Sequence, residues 1–355
     1  MGDLTLKNRI IMASLTRARV TNAQLAPTAL TAQYYAQRAS AGLILSEGTW
    51  VSPKAIGYIN VPGIFSPEQT KGWALVTEAV HGQGGLIFSQ FGHSGSGSHP
   101  DFLNGETPRG PSAINLEGKA YTFEGPKDRV MPQAFTTEEI RETVADYKRA
   151  AENAKQAGFD GIELHAQIDT LIPQFLSTAT NRRVDEYGGS VENRSRLLFE
   201  ILAALAEVWD SRRLGVKFTP TMFNPSILIP NEDTIPTHAY ILQKLNDYNL
   251  GYLHWVSPAR DLTGTVVASL QEDYFGHVRH HYKGTLMANG GFTRETGNRI
   301  IADGVAELVS FGAPFIANPD LVERFAVGHP LAEADRDTYY TGGEKGYADY
   351  PPMTV

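Results

Sequence analysis

Eight short apolar runs, most of them rich in β-branched residues, recur along the chain with amphipathic helical stretches between them. They are Arg9–Ser14, Gly42–Thr49, Gly85–His93, Gly161–Ala166, Leu214–Pro220, Tyr252–Pro258, Thr285–Gly291 and Leu308–Pro314. Strands that read as nearly continuous apolar runs belong to parallel sheets covered on both faces. Eight such strands alternating with helices are the number that closes a sheet on itself, so the pattern predicts an α/β fold, a (β/α)₈ (TIM) barrel.

A barrel of this kind accommodates all 355 residues as one domain, 1–355. The stretch before the fourth run shows the helical pattern best. Thr137 is a candidate N-cap, Glu138 and Glu139 load the first turn, and Ile140, Val144, Tyr147, Ala151 and Ala154 form one stripe before Gly158 stops the helix. Two long loops, from Gly95 to about Gln133 and from Thr221 to about Asp233, follow the third and fifth runs. Both leave the C-terminal ends of their strands, the face on which barrels build active sites.

The formal net charge of −8 argues against a nucleic-acid partner. With no cysteine, thiolate catalysis, disulfides and thiolate metal sites are excluded. The first residues carry no secretory signal pattern and no window is apolar enough to span a membrane, so a cytoplasmic protein acting on a small molecule is expected. Asn193-Arg194-Ser195 fits a glycosylation pattern and is read as a chance match. Nothing in the sequence reports the oligomeric state.

Several segments carry a resemblance. They include Leu6-Lys7-Asn8-Arg9-Ile10, Leu15-Thr16-Arg17, Tyr34-Tyr35-Ala36-Gln37-Arg38, Ser46-Glu47-Gly48-Thr49 and Gly158-Phe159-Asp160-Gly161-Ile162-Glu163-Leu164-His165. Asp185-Glu186-Tyr187-Gly188-Gly189-Ser190-Val191-Glu192-Asn193-Arg194 and Phe315-Ile316-Ala317-Asn318-Pro319-Asp320-Leu321 extend it, so that it runs from about residue 4 to 351. The chain resembles the old yellow enzyme family. That resemblance implies FMN at the barrel mouth, hydride from NADPH, and reduction of the C=C bond of an enone. In the family a His-Asn or His-His pair binds the carbonyl oxygen, and a Tyr two residues later protonates the α-carbon.

Carried onto this sequence, the machinery is only partly present. His165 matches the first carbonyl-binding residue, Ile168 stands where the second belongs, and Thr170 stands where the Tyr belongs. An aliphatic hydroxyl is shorter than a phenol and a far weaker acid. Leu15, Thr16, Gly48 and Gln90 match flavin-contacting positions, Lys217 replaces an Arg, and Ser14 replaces a Pro. Gly92 replaces a Trp, leaving room that suggests a larger substrate, of polyketide or alkaloid type. Gly290 and Gly291 keep the backbone part of the phosphate site, but Ala313 replaces the Arg that grips the phosphate. Losing a guanidinium from such a site costs about 2–5 kcal/mol.

These departures favour a flavin-independent, non-redox isomerase without cofactor, resembling fungal natural-product enzymes that have lost the Tyr. His165 would polarise the carbonyl and Glu163, two residues earlier and on the same face of the strand, would deliver a proton with a pKa raised by enclosure. Asp169 and Glu106 are rival acids, and Tyr58 and Tyr340 are alternative proton donors near the substrate channel. The alternative is an ene-reductase with weakly held FMN, NADPH and a substitute proton donor. A binding protein without turnover is the third reading. His277, His280 and His281 share a helical face without an acidic partner at ligand spacing, so no metal is expected.

Overall fold

The computed structural model describes residues 2–223 and 226–353. Its eight principal strands are β1 (Ile10–Met12), β2 (Leu43–Trp50), β3 (Ile87–Gly92), β4 (Gly161–Ala166), β5 (Leu214–Phe218), β6 (Tyr252–Val256), β7 (Leu286–Asn289) and β8 (Leu308–Phe311). Each lies within or overlaps one of the apolar runs. Every neighbouring pair is parallel, and β1 pairs with both β2 and β8, closing the barrel.

Helices cover the outside. The helix Thr137–Gln156 begins one residue earlier than its sequence suggests: Thr136, in extended backbone, is the N-cap, and its hydroxyl accepts from the Glu139 N–H while Glu139 reaches back to Thr136. Thr137 is therefore the first helical residue. Ile140, Tyr147, Ala151 and Ala154 are buried as the stripe requires. Gly158 follows at φ 83°, a left-handed turn that glycine adopts without strain.

The loop after β3 folds an antiparallel ribbon, Lys119–Thr122 against Gly125–Asp128. The loop after β5 runs to the helix Thr234–Leu245, and its Asn224 and Pro225 lie outside the described residues. Among the described residues, no helix is long and apolar enough to cross a membrane, and no group of three potential metal ligands occurs.

Candidate active site

Strand alternation directs Gln90, Gly92, Glu163, His165 and Lys217 toward the barrel interior. Gln90 pairs in register with Glu163, and His165 with Lys217. The deeper layer is a hydrogen-bonded chain of side chains from different strands. Ser14 Oγ donates to Gln90 Oε1 at 2.7 Å, and Gln90 Nε2 donates to Glu163 Oε1 at 2.7 Å. The other carboxylate oxygen of Glu163 lies 2.8 Å from His254 Nδ1, and His254 Nε2 lies 2.7 Å from Ser310 Oγ. Asn289 Nδ2 donates to the same Ser310 oxygen at 2.7 Å.

These contacts fix the protons. An ionised Glu163 only accepts, so His254 Nδ1 carries the ring proton and donates to it, and in the neutral ring Nε2 is left to accept from Ser310 Oγ, which itself accepts from Asn289. Burial holds His254 below the usual histidine range despite the pull of Glu163, consistent with a neutral ring. Burial pushes the Glu163 carboxyl up, but His254, Lys217 and Gln90 together outweigh it, and its pKa is lowered. This corrects the expected direction: Glu163 is an anion braced on both oxygens, and it holds no proton to deliver near neutrality.

Above this layer stand two donors without acceptors. Neither the His165 ring nor Lys217 Nζ hydrogen-bonds any described residue, although Lys217 is only 6% exposed. Burial first, then the Lys217 charge, depress His165 to about 3, with Glu163 opposing, so the ring is neutral and retains one N–H to donate. Burial also pulls Lys217 below its ordinary range while Glu163 pulls it back.

The remaining predicted positions divide. Thr170 Oγ shares its single proton between the carbonyls of Gln167 at 2.8 Å and His165 at 3.0 Å, so it fastens the turn. Ile168 holds φ 56°, a left-handed conformation that is strained for a β-branched residue. Asp169 is bound by Arg129 Nη1 at 2.7 Å and by Ser226 Oγ at 2.6 Å, tying the loops after β3, β4 and β5 together. Glu106 is exposed and lines a cleft with Lys54, Glu139 and Glu142, on the outer helix side rather than beside His165. Tyr58 and Tyr340 come together, with ring centroids 6.2 Å apart. The Tyr58 phenol is pushed up by burial and then by Tyr340 and Tyr121, and Tyr340 is half exposed.

Gly92 does not leave an open space. A Cβ there would meet the Trp50 ring at 3.5 Å and His165 Nδ1 at 3.8 Å, and Trp50 pairs with Gly92 across β2 and β3. The Trp50 indole of the neighbouring strand and the His165 ring are thus the nearest neighbours of position 92. Sequence reasoning missed Trp50, His254, Ser310 and Arg129. A polar His254 or Ser310 inside an apolar run was the available signal.

The walls fit a flat ring system. A Cβ at Gly48 would approach only Gln90 Oε1 at 3.8 Å and Thr16 Oγ at 4.0 Å, which leaves the surface between them open. Lys217 supplies a buried cation that Glu163 attracts but that no described side chain hydrogen-bonds, suited to an electron-rich ring edge. At the β7 and β8 ends, Gly291 faces open space and Gly312 approaches only Leu15. Gly290 and Gly291 take φ 114° and 70°, while Ala313 opens a short helix and is exposed. The residues present fit FMN along its ring, with backbone groups at the phosphate end and Ala313 where the resemblance implies an Arg.

A model of the NADH:flavin oxidoreductase / NADH oxidase family matches residues 1–332. The chain is 38% identical to 12-oxophytodienoate reductase 1 of Oryza sativa subsp. japonica, over 99% of this chain and 91% of that protein. It is 39% identical to the flavin oxidoreductase hxnT of Emericella nidulans, over 99% and 95% of the two chains. The solved structure of morphinone reductase in complex with tetrahydroNAD superposes with a TM-score of 0.92 at 41% identity, covering 99% of this chain and 96% of that one. These findings overturn the expectation of a cofactor-free, non-redox isomerase. Relatives that match nearly end to end are flavin oxidoreductases and reductases, and the loss of single groups at positions 170 and 313 does not outweigh the retained site.

Proposed function

Because this chain belongs to the NADH:flavin oxidoreductase / NADH oxidase family, the old yellow enzymes, we propose that it is an FMN- and NAD(P)H-dependent ene-reductase. Its substrate is a small molecule with a C=C bond conjugated to a carbonyl, and residues 1–355 act as one catalytic unit. The observation that carries this reading is the pair of unpartnered donors, His165 and Lys217, side by side in register on β4 and β5.

FMN, when bound, supplies the hydride that adds to the β-carbon. Gln90, Thr16 and Lys217 would hold its ring, and the backbone around Gly290, Gly291 and Gly312 its phosphate. Neutral His165 donates its N–H to the carbonyl oxygen and stabilises the negative charge that develops there. Glu163 stays ionised and fixes Gln90, because a carboxylate accepts only and compels the amide to present its NH₂. Thr170 has its proton engaged, so the α-carbon takes its proton from Tyr340 or Tyr58. Burial pushes the Tyr58 phenol above its ordinary range, and Tyr340 is the more accessible of the two.

The test is anaerobic. Protein reconstituted with FMN is expected to bleach on adding NADPH and to recover its colour with one equivalent of cyclohex-2-enone, giving a product heavier by two hydrogens. Failure to bleach, or a product of unchanged mass, overturns the assignment.

A further inference from the structure

Tyr340 belongs to a segment, 338–346, that has no helix or strand beyond the short turn Arg336–Thr338. Its glycines Gly342, Gly343 and Gly346 take φ 106°, 57° and 66°. A segment without a ladder of its own is held by whatever satisfies its backbone carbonyls. Two guanidinium groups do this here. Arg17 donates to the carbonyls of Tyr339 at 3.0 Å and Gly346 at 2.6 Å. Arg19 donates to those of Thr338 at 2.6 Å, Gly343 at 2.9 Å, Tyr339 at 3.2 Å and Lys345 at 3.3 Å. Both arginines are buried.

The two guanidinium groups meet on one oxygen, the carbonyl of Tyr339. That peptide unit leads into Tyr340, and because a peptide is planar, fixing its oxygen also fixes the Cα of Tyr340. The Tyr340 ring then stands beside Tyr58. The arginines are themselves anchored. Glu47 accepts from the backbone N–H of Arg17 at 3.2 Å and of Ala18 at 3.4 Å, and Ala18 holds φ 52° between them. The same loop carries Thr16, next to Arg17, and Ser14, which hydrogen-bonds Gln90. One loop after β1 thus bears on both the flavin wall and the segment of Tyr340.

We propose that Arg17 and Arg19 are positioning residues for proton transfer, clamping the Tyr339 carbonyl so that the Tyr340 phenol is held where it can protonate the substrate α-carbon. The Tyr340 O–H bond breaks as the new C–H bond forms, and the phenolate regains a proton from water, which reaches this half-exposed side chain. The proposal rests on the reductase reading and assigns the donor to Tyr340 rather than Tyr58.

Stopped-flow reoxidation of the NADPH-reduced, FMN-reconstituted protein separates this role from a structural one. Cyclohex-2-enone requires a proton at carbon, whereas ferricyanide takes electrons alone. Arg19→Met is expected to slow reoxidation by enone about 10- to 100-fold and to spare that by ferricyanide. Arg19→Lys, which reaches fewer carbonyls, recovers part of the rate, and Arg17→Met behaves like Arg19→Met. Tyr340→Phe slows the enone reaction by about 10² or more, and adding Arg19→Met to it has no further effect, since both changes strike one step. An enone rate that Arg19→Met leaves intact overturns the clamp alone, as does a loss that extends to ferricyanide or persists in the Tyr340→Phe background. If melting curves show that Arg19→Met does not fold, Arg19→Lys carries the same cycle. An enone rate unmoved by Tyr340→Phe removes Tyr340 from proton transfer and the clamp with it. A parent protein reoxidised by ferricyanide and not by enone overturns the reductase reading itself.

Discussion

The Glu163 carboxylate and the His254 imidazole meet at 2.8 Å with both side chains wholly excluded from solvent. Removing the imidazole takes a charge-assisted hydrogen bond from a buried carboxylate that keeps only Gln90 as a donor, so His254→Leu is expected to destabilise the fold by about 1.5–3 kcal/mol. His254→Gln, which keeps a donor, is expected to recover part of that loss. Urea unfolding curves of the two variants decide the matter, and equal losses would show that the donor is immaterial.

Lys217 governs the ring end of the cofactor site. A charge-assisted hydrogen bond contributes about 1.5–3 kcal/mol, so Lys217→Met should weaken FMN roughly 10- to 100-fold. Lys217→Arg should bind within a few-fold of the parent. Quenching of flavin fluorescence measures each constant, and unchanged affinity in the methionine variant removes Lys217 from the site.

Ala313 governs the other end. Restoring a guanidinium with Ala313→Arg should recover about 2–5 kcal/mol, tightening FMN at least roughly 30-fold. The same fluorescence titration reads it. No gain would mean that another cation already serves the phosphate.

Thr170→Tyr should restore a phenol at the position the resemblance assigns to proton delivery. General acid catalysis is worth on the order of 10²–10⁴-fold, so the rate of flavin reoxidation by enone should rise by about 10² or more. The variant also loses the contacts of Thr170 Oγ to two carbonyls, costing about 1 kcal/mol of stability. A rate unmoved by the phenol, in a variant that folds, would show that protonation does not limit turnover.

Acid sensitivity follows from His93. Its Nδ1 accepts from the Gly95 N–H at 2.9 Å, and burial, then Lys54, lowers its pKa from 6.5 to about 3. Between these values the unfolded chain binds a proton that the native ring refuses. Stability from this site is therefore complete above 6.5 and falls as the pH drops toward 3, by up to about 1.4 kcal/mol per unit. His93→Gln, which keeps an acceptor, should flatten the fall when urea midpoints are followed against pH. An identical slope in parent and variant would exclude His93 as the source.

All eight barrel strands were legible because each is encoded by its own residues, and the inward direction of Glu163 and His165 followed from strand alternation. The ionisation of Glu163 was not legible. It depends on His254, 91 residues away, and on Gln90 from another strand. That Trp50 is the neighbour of Gly92 depends likewise on cross-strand register. Asp169 looked like a free acid in sequence, yet Arg129 from a distant ribbon engages it. The expectation of no cofactor rested on the departures at Ile168, Thr170, Lys217, Gly92 and Ala313, whereas the match to flavin oxidoreductases runs over residues 1–332 and includes the unchanged positions Leu15, Thr16, Gly48 and Gln90.

The indole of Trp50 is the nearest neighbour that a side chain at Gly92 would meet, at 3.5 Å, with the His165 ring next at 3.8 Å. Any side chain introduced at 92 therefore reports on the carbonyl-binding histidine as well as on the neighbouring strand, and a change there is felt at His165 before it is felt by bulk solvent.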